Sequence, residues 1–81
     1  MVYNVSLDLN PSGKDAITLK FDNKEDAKVF FKRAVYIASC EKKVDIPDGI
    51  FDLIDDAFDK EESFAYNKNF YLKFFKSNEE D

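Results

Sequence analysis

The chain has no histidine, no tryptophan, one cysteine, two glycines and two prolines in 81 residues. Each shortage removes a class of chemistry. Without histidine there is no imidazole base and no Ser-His or Cys-His nucleophile pair. With Cys40 as the sole thiol, there is no intrachain disulfide and no zinc-finger ligand set. Gly13 and Gly49 are too few for a G-x-G-x-x-G or Walker loop. An EF-hand starting at Asp45 fails on spacing, because Pro47 holds the third position and Gly49 comes one place early. No apolar run approaches the ~20 residues of a membrane span, and no N-terminal hydrophobic leader is visible. The expectation is a cytoplasmic, non-enzymatic chain with no cofactor, no metal and no membrane partner. Cys40 is expected as a small side chain, buried or half-buried near a helix end.

What is present is hydrophobic enough to fold. Apolar residues make up 44% and charged residues 36%, which excludes a disordered chain. Nine phenylalanines and four tyrosines are abundant for this length. Each large ring buries about 150–250 Å², which helps a small domain that hides only roughly 60–65% of its unfolded surface.

Periodicity divides the chain. Tyr3, Val5, Leu7 and Leu9 alternate with Asn4, Ser6 and Asp8, the pattern of a half-buried strand. Asn10-Pro11-Ser12-Gly13 is a cluster of turn formers, which predicts a turn there. Ile17, Leu19 and Phe21 alternate again, which predicts an antiparallel hairpin. Ala27, Phe30, Phe31, Ala34, Val35 and Ala38 follow helical spacing, so a helix is predicted over about 23–42, with Val29 and Ile37 widening its buried face. Pro47-Asp48-Gly49 stops that helix and starts a second, with Asp48 as N-cap. Ile50, Leu53, Ile54, Ala57 and Phe58 mark the second helix's inner face, and its end is predicted near Glu61 or Glu62. Phe70, Leu72 and Phe74 alternate with Tyr71, Lys73 and Phe75 in a last strand. Asn67-Lys68-Asn69 offers a turn that would pair Phe64–Tyr66 with it. The predicted fold is α+β, with a small antiparallel sheet of three to four strands and both helices on one face, in the order β-β-α-α-β. One domain spans 1–76, followed by an acidic disordered tail at 77–81.

Charge is unevenly placed. Residues 44–62 hold eight carboxylates and one lysine, whereas residues 24–43 sum to +3 and residues 63–76 to +3. Asp52, Asp55, Asp56 and Asp59 fall on the outer side of the second helix, flanked by Asp48 and Glu62. Like charges at these spacings repel, so a helix tuned for stability alone interleaves signs. The carboxylates are therefore read as contacts for a basic protein partner, with Phe51 as an apolar anchor among them. The implied role is an inhibitor or regulator that docks its acidic helix on a nucleic-acid-handling protein by mimicking phosphate charge. Phage-encoded counter-defence proteins offer an analogy of general character only. A simpler reading is a solvated face that keeps the chain soluble. The runner-up is a nucleic-acid-binding module that uses the basic row Lys24, Lys28, Lys32 and Arg33 together with the aromatic last strand. A third reading is a homodimer formed through Tyr71, Lys73 and Phe75.

Overall fold

The structure is a computed structural model that describes residues 1–9 and 16–77. Six elements follow in order: β1 (Val2–Asp8), β2 (Ile17–Phe21), α1 (Lys24–Lys42), α2 (Ile50–Lys60), β3 (Phe64–Asn67) and β4 (Tyr71–Ser77). The strands form one antiparallel sheet in the order β2-β1-β4-β3. The fold is therefore α+β, as the alternation and helical spacing predict, with the hairpin alternative realised at the C-terminal end. The predicted turn at 10–13 lies outside the described residues. The predicted tail at 77–81 is corrected at its first residue, since Ser77 closes β4 in register with Val2; residues 78–81 lie outside the described residues.

Period two places Tyr3, Val5 and Leu7 opposite Lys76, Phe74 and Leu72, on the face that both helices cover. A chain of rings joins the layers. Phe31 of α1 meets Phe64 of β3 and Phe58 of α2, each at 5.8 Å between centroids. Phe58 stacks on Phe74 of β4 at 3.9 Å, and Phe74 stacks with Tyr3 of β1. Such pairs add about 0.5–1.5 kcal/mol each beyond the area they bury. Strand β2 lies outside this chain and is tied in by Phe21 against Phe30 at 5.6 Å. Ile17, on the helix-facing side of β2, stays 59% exposed, because α1 lies over β1 and does not reach that end of the edge strand.

The helices begin differently. Asn23 caps α1, its side-chain oxygen accepting from the amides of Glu25 and Asp26. Helix α2 has no side-chain cap. Asp48 sits in the preceding turn, and the cap position is taken by Gly49 at φ 81°. The expectation of Asp48 as N-cap is thus corrected. The turn that leads out of Pro47 needs a left-handed residue immediately before the helix, and glycine adopts that conformation at least cost. Both helices end on left-handed residues, Lys43 and Glu61, whose amides return to the last turn.

Candidate functional site

The two helices lie side by side on the sheet, and the carboxylates of α2 divide there into two groups. Asp55 turns towards α1. Its carboxylate lies 2.6 Å from the Lys32 ammonium and 3.8 Å from that of Lys28. The hydrogen bond from Lys32 holds the Asp55 carboxyl below its ordinary value, with the charge of Lys28 adding to it. Lys28 also pairs with Glu25 at 3.2 Å. That hydrogen bond raises its pKa, with further contributions from the fields of Asp55 and Asp59. Glu61 is the second clamp. It accepts from Lys76 of β4 at 3.1 Å and lies 3.5 Å from Lys24 of α1, with the Tyr3 hydroxyl also at 3.5 Å. The Lys76 hydrogen bond holds the Glu61 carboxyl low. One carboxylate at the end of α2 thus ties together both helices, β1 and β4.

The rest of the acidic set points outward. Asp48, Asp52, Asp59 and Glu62 are exposed and form no ion pair among the described residues. Asp56 is exposed too and pairs with Lys60 at 3.2 Å, one helical turn away, a contact of small energetic weight in water. Helical spacing aligns Asp52, Asp56 and Asp59 along the solvent side of α2. Asp59 lies in the last turn, where a carboxylate opposes the helix dipole.

Two apolar residues exchange the places expected of them. Phe51 is half-buried against the core, on the flank of α2 that carries Asp55 and Phe58. Leu53, expected inside, is 57% exposed, because it faces away from α1. On α1, Val29 and Ile37 are exposed instead of extending the buried face, and Cys40 is exposed while its neighbour Ser39 is buried. The core of α1 is set by Ala27, Phe31, Ala34, Val35 and Ala38, and these five sit on the opposite side of the helix.

The remaining candidate surface is the far side of the sheet. There Tyr71, Lys73 and Phe75 of β4 stand beside Asn4 and Ser6 of β1, away from both helices. All three are half-buried by their cross-strand neighbours, and the Lys73 ammonium lies over the Phe75 ring at 5.4 Å. Asn4 is fully committed in this layer, donating to the Phe75 carbonyl and the Ser77 hydroxyl. The basic row of α1 is not on this side. Lys24, Lys28 and Lys32 bind Glu61 and Asp55 at the helix layer.

Sequence reasoning missed the role of Glu61, although its signal was present. A helix that ends beside the start of another brings its last carboxylate near that helix's first lysine. Among the described residues no group of three or more acidic or sulfur side chains gathers to hold a metal, and no helix is long and apolar enough to cross a membrane. Comparison of the chain with protein-family models, with curated proteins and with solved structures finds no match.

Proposed function

We propose that this chain is a non-catalytic protein-binding module that docks the outer carboxylates of α2 on a basic surface of another protein. The observation that carries the reading is the division among the acids. The fold uses Asp55 and Glu61, each clamped by lysines of the same chain. It makes no ion pair to Asp48, Asp52, Asp59 or Glu62 among the described residues, yet α2 lines Asp52 and Asp59 up with Asp56 at spacings where like charges repel. Such a row steers a cationic partner and competes for its lysines and arginines, the contacts that phosphates otherwise take. Inhibition or regulation of a nucleic-acid-handling protein is the role that fits this chemistry. Asp52, Asp56 and Asp59 form the centre of the contact, with Asp48 and Glu62 at its ends. Asp55 is left out because it serves the helix seam.

Direct nucleic-acid binding is less well supported. The lysines of α1 and the aromatic side of β4 lie on opposite layers, so no single strand of nucleic acid contacts both. The test is capture from a cell lysate by the wild-type chain and by the Asp52→Lys, Asp59→Lys double variant, with circular dichroism confirming that both are folded. The reading expects basic proteins retained by the wild type and released from the variant. The same proteins retained by both chains would remove it.

A further inference from the structure

The outer side of α1 is the unexplained surface. Val29, Tyr36 and Ile37 are 54%, 60% and 59% exposed. Val29 and Tyr36 stand opposite the buried side of a helix that already has a full core, and Ile37 stands on the flank beyond Arg33. A helix apolar on both sides is normally covered on both. Residues 10–15 read Asn-Pro-Ser-Gly-Lys-Asp and residues 78–81 read Asn-Glu-Glu-Asp, with no large apolar side chain in either segment.

A second copy is a poor occupant. Stacking two α1 helices antiparallel about a two-fold axis lays α2 over α2 and sets one acidic row against the other. Stacking them parallel sets Arg33 of one copy against Lys32 of the other. Both arrangements bring like charges together at the contact.

What borders the apolar strip identifies a better occupant. Lys28 and Lys32 mark the flank of α1 that faces α2, since both reach Asp55. Val29 and Tyr36 lie just outward of that flank, by one and four residues. On α2, Asp52 and Asp59 stand three residues before and four after Asp55, and so share its flank. Val29 and Tyr36 therefore run along one border of the helix seam and Asp52 and Asp59 along the other, with the Lys28, Lys32 and Asp55 cluster between them. Arg33, exposed, lies beyond Val29 and Tyr36, between them and Ile37.

We infer that this composite strip receives a cationic amphipathic helix of a partner protein. Its apolar row covers Val29 and Tyr36, and its lysines or arginines lie on the flank towards Asp52 and Asp59. The flank towards Arg33 carries no basic residue. This is the helix-in-groove mode of recognition, read from one strip of apolar anchors and one row of opposite charge. It rests on the acidic-row reading and narrows it, because the partner's surface is amphipathic and not merely basic.

The test uses two labelled synthetic helical peptides and the full chain, read by fluorescence anisotropy. One peptide carries a leucine row flanked on one side by lysines. The other keeps the same lysines and replaces each leucine by glutamine. The leucine peptide is expected to bind roughly ten-fold tighter, the scale set by burying a few apolar groups. The Val29→Ser, Tyr36→Ser double variant removes that advantage, and Asp52→Asn with Asp59→Asn weakens both peptides. Equal affinity for the two peptides overturns the amphipathic inference and leaves the acidic-row reading standing. Leucine-peptide binding untouched by Asp52→Asn and Asp59→Asn overturns the acidic-row reading, and with it the inference. Absence of binding by either peptide overturns both. A dimer seen by sedimentation and abolished by Val29→Ser, Tyr36→Ser assigns the strip to a second copy and overturns the inference.

Discussion

Helix α1 starts on an asparagine that caps it and shows apolar side chains to solvent, whereas α2 starts on an uncapped glycine and shows carboxylates. Both bury a full inner face, so the sheet does not dictate the difference outside. The acids of α2 do not all suit the helix they sit on. Asp52, in the first turn, suits the dipole, but Asp59 in the last turn opposes it. Asp55 and Glu61 pair with lysines of other elements, whereas Asp56 pairs with Lys60 of α2 itself. The inner sides of the two helices are explained by what they cover, and the outer sides are the ones the proposal assigns to a partner.

That contrast can be broken most sharply from the inside. Phe58→Ala removes the ring that links Phe31 to Phe74, and is expected to cost about 3–5 kcal/mol in denaturant melts. Given the marginal stability of a chain this short, much of the population should then be unfolded at ambient temperature. A loss below about 1 kcal/mol would show that α2 is not seated as described.

The capping difference comes next. Gly49→Ala forces a side chain into a left-handed position and should cost about 1–2 kcal/mol. Asn23→Ala removes the α1 cap and should cost about 1 kcal/mol. A loss below about 0.3 kcal/mol at either position in thermal melts would contradict the two modes of helix initiation.

The division among the acids predicts a smaller but more pointed effect. Asp55→Asn should destabilise by about 0.5–1 kcal/mol, a half-exposed ion pair being discounted for solvent screening. Asp59→Asn should be within about 0.5 kcal/mol of the wild type, as an outward residue is. Reversal of that order in chemical denaturation would dissolve the distinction between clamped and free carboxylates.

Titration addresses the same clamps. Asp55 and Glu61 have lowered pKa values in the fold. Their contribution is therefore present above the ordinary carboxylate range, about 3.9–4.3. It is lost as pH falls through their lower folded values. Lys28 is raised, so its share is present below about 10.4 and is lost as pH rises through its higher folded value. Acid melts of Asp55→Asn should show a shallower loss below pH ~4 than wild type. Identical acid profiles would place the linkage elsewhere.

Much of this architecture was legible from residue spacing. Alternation in Tyr3–Leu9 and Phe70–Phe75 marked the two central strands, and the stripe from Ala27 to Ala38 marked α1 within a residue of its ends. What spacing could not supply was which flank of each helix meets a neighbour. Phe51 and Leu53 are equally apolar and lie on opposite flanks of the α2 core. The position of α1 decides that the first is covered and the second is not. The same holds for Asp55 against Asp52 and Asp59. All three share one helical face on paper, and only the arrival of Lys28 and Lys32 separates them. Ile17 and Leu19 carry the alternation of a buried strand, yet the edge position of β2 leaves both open.

The outer helical layer can be interrogated residue by residue. Titrating the cationic leucine-row peptide into ¹⁵N-labelled chain should perturb the amides of Val29, Tyr36, Asp52 and Asp59 together, at one affinity, while Tyr71 and Phe75 on the far side of the sheet stay still. Perturbations centred on Tyr71 and Phe75, or spread evenly over every lysine-accessible carboxylate, including those of Asp22 and Asp45, would contradict the account.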